Sequence, residues 1–357
     1  MRRIVKWIVR LVLGAVLLLV LAGALLLGFR ALRQHQTAAE LRITTPNGIQ
    51  ESGFVRVGGV DQWVQIRGED RTNPILLFVH GGPGFAMSPL TPVFRAWEKD
   101  FTVVQWDQRD AGRTYSRNGA QPISVDQVAR DGLEVADIVR RQLGQPRIIV
   151  LGHSWGSAIA LNMVHRRPEL FHAYVGTGQM AYRDEQEAAS YAMVLARAKA
   201  ARNAAAVAEL EQLGPPPYKG LDGLLVERRW LGVYDTPAER NLFKVMTPVV
   251  AFAPGQSLRD LYDYNAAPKV AQGLAYGEVA RFNARSLGSS YAVPMFVFEG
   301  DQDILTPVAS TRRWFDQLKA PQKALVLFEG GGHDAVLTMP GAFLAELDTR
   351  VRPLALP

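Results

Sequence analysis

Residues 148–164 read IIVLGHSWGSAIALNMV. Ile148, Ile149, Val150 and Leu151 form an uninterrupted apolar run, the pattern of a strand covered on both faces within a parallel sheet. Ala158, Ile159, Ala160, Leu161 and Met163 then continue in a pattern suited to a helix lying on that sheet. Between the two elements only a Gly-x-Ser-x-Gly frame remains, with Gly152 and Gly156 on either side of Ser154. Glycines there remove side chains where the backbone must turn sharply, so the serine is pushed to the apex. On its own the frame fits a small turn residue as well as a nucleophile, and the partners of Ser154 decide between them.

The same alternation extends in both directions. GFVRV and VDQWVQI, joined by Gly58-Gly59, read as two strands around a glycine turn. Ile75–Val79 reads as a buried strand opening into a glycine loop, FTVVQWD as another, and VDQVARDGLEVADIVRRQL as an amphipathic helix feeding the Ile148 strand. After FHAYVGTGQM the rhythm changes. Residues 181–287 are helical, Ala-rich at first and broken at PPPYKG, before PMFVFEGDQD and KALVLFEGGGH resume the strands and GAFLAELDTRV closes as a helix. The pattern predicts an α/β fold: a mostly parallel central sheet flanked by helices, residues 51–180 and 288–357, with a helical cap inserted at 181–287.

A serine hydroxyl is protonated at neutral pH and needs a base, an acid to orient the base, and donors for the oxyanion that develops. Of the six histidines, His35 precedes the domain, His80 opens the HGGPG loop, His153 lies inside the elbow, and His165 and His172 bracket the end of the following helix. His333 follows the last predicted strand, and ligands of open α/β sheets gather at the carboxyl ends of strands, which selects it as the base. The acid belongs between serine and histidine in chain order, at another strand end. GDQDILTP offers Asp303 for that role and Asp301 for bonding within the turn, while Asp334 would have to fold back to reach the neighbouring ring. The loop His80-Gly81-Gly82-Pro83-Gly84 supplies one oxyanion donor, the amide of Gly82, and Trp155 supplies the other.

Composition narrows the alternatives. The 357 residues are 48% hydrophobic, enough for one large domain with an insertion. The formal charge of +6 is dispersed without a basic stripe, which argues against nucleic acid as a partner. The absence of cysteine excludes disulfides, a thiolate nucleophile and cysteine metal sites, and acyl transfer through serine requires no metal or organic cofactor. At the N-terminus, Arg2, Arg3, Lys6 and Arg10 precede an uncharged run from Leu11 to Phe29. As a helix that run spans about 28 Å, close to the hydrocarbon thickness of a bilayer. Ala22-Gly23-Ala24 is like a signal-peptide cleavage site, yet apolar residues follow it, so residues 1–35 are expected to remain as an anchor. By the positive-inside rule the N-terminus stays cytoplasmic and the main domain is exported, with residues 36–50 as a polar tether.

HGGPG, WDQRDAGRT, GHSWGS, GDQDILTP and GGH, in that order, resemble the prolyl aminopeptidase (proline iminopeptidase)-like branch of the α/β-hydrolase superfamily across most of residues 50–357. The resemblance implies a triad of Ser154, Asp303 and His333, a cap that shapes substrate choice, and removal of an N-terminal residue, proline among the candidates, from peptides. Two features depart from the family pattern. Asp110 and Ala111 stand where Gly-x is usual, and the acids available in the cap, Glu185, Glu187, Glu209, Glu211, Asp222, Glu227, Asp235 and Glu239, cannot be matched from the sequence to the family's amine-binding acids; most fit solvated helix faces. Two other readings stay open: a carboxylesterase or lipase on small acyl esters, and a non-catalytic binding protein on the same fold.

Overall fold

The computed structural model describes residues 2–356. The chain begins with helix α1 (Arg2–Glu40), followed by β1 (Ile49–Val57), β2 (Val60–Gly68) and β3 (Ile75–Val79). Next come the short α2 (Thr91–Phe94), β4 (Thr102–Asp107), α3 (Gly112–Asn118), α4 (Val125–Gln142), β5 (Ile148–His153), α5 (Trp155–Arg166) and β6 (Phe171–Thr177). The insertion holds α6 (Arg183–Ala200), α7 (Ala204–Leu213), α8 (Leu221–Tyr234), α9 (Pro237–Ala251) and α10 (Leu258–Arg281). The core then resumes with β7 (Met295–Gly300), α11 (Val308–Gln317), β8 (Lys323–Phe328), α12 (Ala335–Thr338) and α13 (Pro340–Glu346).

The eight strands form one sheet in the order β1-β2-β4-β3-β5-β6-β7-β8. β1 and β2 pair antiparallel, β2 joins β4 antiparallel, and every pairing from β4 through β8 is parallel. β3 and β5 are buried at every residue because helices cover both faces. Side chains alternate between those faces with a period of two. Leu77, Val79 and Val150 join Val128, Val135, Ile159 and Leu161 on one side, whereas Leu76, Phe78, Ile149 and Leu151 meet Phe94, Trp97 and Phe343 on the other. The largest of these side chains contribute about 1.5–3 kcal/mol each by burial. α4 starts where the Ser124 hydroxyl accepts the Gln127 amide, and it presents Val128, Ala129, Val135, Ala136 and Val139 inward.

Strand order reverses at β3 and β5, since β4 lies on one side of β3 and β5 on the other. Loops leaving the carboxyl ends of those two strands therefore open a crevice at the switch point. The register sets Val79 opposite Gly152, so the HGGPG loop and the serine elbow leave the sheet side by side.

Two expectations are corrected. α1 runs to Glu40, five residues into the segment read as a tether, and it is tied there to the insertion: Arg30 donates to Ala251 O and Gln256 O, and Gln34 to Ala253 O. These carbonyls lie at and just beyond the end of α9, where helical partners run out. The Ala-rich run of the insertion is not one helix. It breaks at Ala201–Asn203, where Arg202 takes a positive φ of 53° and Asn203 caps α7 by accepting the Ala206 amide.

Candidate active site

Ser154 sits between β5 and α5 with φ 52°, a left-handed conformation that a non-glycine residue adopts only when its surroundings impose it. The imposition is visible in the neighbours. A Cβ on Gly156 would lie 1.9 Å from Val79 O of β3, and one on Gly152 of β5 would lie 2.5 Å from Gly156 O, so α5 can approach β3 and β5 only because both positions lack side chains. The Ser154 amide donates to Thr177 O at 2.9 Å, fastening the apex to the end of β6. The hydroxyl makes no capping bond to α5 and is left free.

That hydroxyl lies 2.9 Å from His333 Nε2, and His333 Nδ1 lies 2.8 Å from Asp303 Oδ2. An ionised carboxylate only accepts, so Nδ1 of the neutral ring carries the proton and Nε2 is the acceptor for the serine. Asp303 is itself over-determined: Oδ1 accepts the amides of Leu305 and Thr306 at 2.7 and 2.8 Å, and Oδ2 accepts the Thr306 hydroxyl at 2.6 Å. Burial would raise the Asp303 pKa, but the His333 charge and the bonds from His333 and Thr306 outweigh it and hold the carboxyl below its usual range. Burial likewise depresses the imidazole. The charge and hydrogen bond of Asp303, with Asp334 and Glu239 further out, overcome that and raise His333 to about 9.

Asp301 is elsewhere: its Oδ1 accepts the Gly330 amide at 2.8 Å and ties the turns after β7 and β8 together. Asp334 turns away from the His333 ring and meets His153 Nε2 at 3.2 Å. Gly81 presses on the elbow, where an added Cβ would stand 3.1 Å from Ser154 Cβ. His80 is buried, its Nδ1 donating to Gly81 O and its Nε2 accepting the Gln108 amide at 3.1 Å, and burial lowers its pKa to about 4. Trp155 is the first residue of α5, whose opening turn leaves its N–H groups without helical partners and its positive dipole end toward Ser154.

Three contributors are not assigned a role by the sequence, although Gln108 and Thr306 lie in the motifs WDQRDAGRT and GDQDILTP and Glu239 lies among the cap acids. Thr306 completes the shell of Asp303. Gln108 joins the HGGPG loop to the elbow, donating to His80 O at 2.8 Å and accepting from Trp155 Nε1 at 3.1 Å. Glu239 descends from α9 so that its Oε1 accepts the Asp334 amide at 2.9 Å, with Gly332 close beneath it. Burial and the Asp334 charge raise its pKa to about 9. The cap acids are only partly solvated: Glu187 and Glu227 are buried against Arg183 and Arg228, and Asp235 is buried close to the site, with a pKa raised to about 6 mainly by burial. At the departing motif, Asp110 adopts φ 57° and its Oδ1 accepts the Gln121 amide at 2.6 Å, which keeps the turn without glycine. Arg109 is clamped by Asp131 of α4.

The arrangement suits acyl transfer through serine, and comparison with known proteins agrees with the fold beneath it. The family model of the alpha/beta hydrolase fold matches residues 74–340. A probable aminopeptidase of Bacillus subtilis (strain 168) is 26% identical over 304 residues, which cover 83% of this chain and 94% of that protein. A proline iminopeptidase of Neisseria gonorrhoeae is 34% identical over 122 residues, 33% of this chain and 36% of the relative. Among solved structures, a proline iminopeptidase-related protein of Thermus thermophilus shares the fold with a TM-score of 0.62 at 20% identity, covering 86% of this chain and 99% of that one. With a hydrolase family model over most of the core and relatives of this kind, the chain belongs to the alpha/beta hydrolase family and is a hydrolase similar to its proline iminopeptidase-like members.

Proposed function

We propose that the protein is a membrane-anchored serine hydrolase that acts as an aminopeptidase. The observation that carries the chemistry is the continuous relay from Ser154 Oγ through His333 to Asp303, at 2.9 and 2.8 Å. His333 Nε2 takes the hydroxyl proton as Ser154 attacks the scissile carbonyl, and Asp303 stabilises the imidazolium. The amides of Gly82 and Trp155 receive the oxyanion, and His333 returns the proton to the leaving amine. Water, deprotonated by the same ring, then releases the acyl group from Ser154 and restores the hydroxyl.

The peptidase reading is supported by Glu239 and Asp235, two carboxyl groups that the cap brings close to His333 and Asp334. A substrate ammonium entering between them would draw both toward the ionised form. The anchor reading is supported by α1, which is long and apolar enough to cross a membrane and has no buried residue. It leaves the catalytic domain on the exported side.

The test is a panel of Pro-, Ala- and Leu-arylamides, their N-acetylated forms and a short-chain nitrophenyl ester. Cleavage confined to arylamides with a free amino terminus is expected; turnover of esters alone would replace the aminopeptidase with a carboxylesterase. Ser154→Ala is expected to fold as the parent, to lose labelling by a fluorophosphonate, and to drop in turnover by roughly 10³-fold or more. Turnover at the parent rate in that variant would remove the mechanism.

A further inference from the structure

The insertion exposes large apolar side chains along the middle of α9 and at the start of α10, on either side of the α9–α10 connection. Phe243 and Tyr262 are 71% and 74% exposed, and Val245 and Leu258 are more than half exposed. Leu258 and Tyr262 are four residues apart on one helix and share a face. Within residues 240–262 the exposed charged side chains are Arg240, Lys244 and Arg259; Asp260 is partly exposed as part of the α10 cap, and Arg259 pairs on one side with the buried Asp263 at 3.3 Å. Apolar groups flanked by basic ones are the composition of a surface that lies in a membrane interface and attracts anionic headgroups.

What fixes the occupant is where this corner is held. Phe252, in the α9–α10 connection, meets Phe29 edge to face at 5.8 Å. Arg30 donates to Ala251 O at 3.1 Å and Gln256 O at 2.7 Å, and Gln34 donates to Ala253 O at 2.8 Å and Gln256 O at 2.9 Å. Phe29 is the last residue of the apolar run of α1. A helix whose run of about 19 residues fills the hydrocarbon layer carries its next turn at headgroup depth.

We infer that the α9–α10 corner of the cap is a second membrane-contacting element, in which Phe243, Leu258 and Tyr262 enter the interface of the bilayer that α1 spans while Lys244 and Arg259 face anionic phospholipid headgroups. The inference rests on the anchor reading of α1. It gives α9 two contacts, lipid on its outer face and the His333 loop through Glu239, so substrates partitioned into that bilayer meet the cap before they meet solvent.

The cysteine-free sequence makes the test direct. Single-cysteine variants of the full chain, Leu19→Cys, Leu258→Cys, Tyr262→Cys and Glu169→Cys, are labelled with bimane and reconstituted into vesicles of phosphatidylcholine and phosphatidylglycerol whose acyl chains are plain or brominated. Retained hydrolase turnover certifies each fold. Position 169 precedes β6, at the amino ends of the parallel strands and opposite the cap. Loss of emission with brominated chains is expected at 19, 258 and 262, with emission kept at 169. Quenching at 19 without quenching at 258 and 262 would overturn the inference and leave the anchor standing. Emission kept at 19 would overturn the anchor and the inference together. Shielding of 258 and 262 from aqueous iodide that grows with protein density, without bromine quenching, would assign the corner to a second copy of the chain and overturn the lipid assignment.

Discussion

His333 is raised to about 9 because the Asp303 charge, 2.8 Å from Nδ1, favours the imidazolium more than burial disfavours it. The proposed base works only as the neutral ring, so kcat/KM is expected to climb with pH and level off near 9. Asp303→Asn removes the charge and leaves the ring subject to burial, which moves the midpoint to lower pH while turnover falls roughly 10⁴-fold. A pH–rate profile flat between about 6 and 9, or an unchanged midpoint in the variant, would separate His333 from the chemistry. That Ser154, His333 and Asp303 come together could be read from residue order, because each follows a predicted strand and strand ends converge in such a sheet. The parts played by Thr306, Gln108 and Glu239 could not be. Gln108 and Thr306 lie in motifs the sequence displays, WDQRDAGRT and GDQDILTP, but their roles depend, like that of Glu239, on where an amide, a hydroxyl and a cap carboxyl arrive after folding.

At the scale of elements, the decisive contact is α5 against β3. Gly156 lies so close to Val79 O that an added methyl group has no room, and the atom opposite is backbone, which cannot swing aside. Gly156→Ala is therefore expected to destabilise the protein by about 3 kcal/mol, at the upper end of overpacking costs, and to move Ser154 relative to His333. Gly341→Ala, where an added Cβ meets nothing within 4 Å, is the matched control. Equal denaturant midpoints for the two variants would refute the close-approach account of the elbow. The strands of the core were readable because each is a short apolar run with turn residues beyond it, and the cap was readable as a loss of alternation. The break at Ala201–Asn203 was not, since alanine continues on both sides and only the Asn203 cap and the positive φ of Arg202 interrupt the helix. Nor was the extension of α1 to Glu40, whose last turns owe their position to carbonyls of the cap more than 200 residues away in sequence.

At the scale of the whole molecule, the buried titratable groups act together on stability. His333 is raised to about 9, Glu239 to about 9 and Glu299 to about 8, the two glutamates chiefly by burial and neighbouring carboxylates. The histidine contribution is complete below the unfolded value of 6.5 and is lost as pH rises through about 9. The glutamates stay protonated in the fold while the unfolded chain ionises them near 4.5, so their cost grows with pH up to about 8 or 9. In all three cases the folded state binds more protons than the unfolded one, and stability must fall with rising pH. His80, lowered to about 4, has the opposite sign, but its effect is complete by 6.5. Between about pH 6.5 and 9 the denaturation midpoint of the full chain in detergent is therefore expected to decline steadily, and Glu239→Gln, which stays neutral throughout, is expected to make the decline shallower. A midpoint that rises over this interval, or a variant that follows the parent slope, would mean that the His333 and Glu239 protons are not held in the fold as their surroundings require.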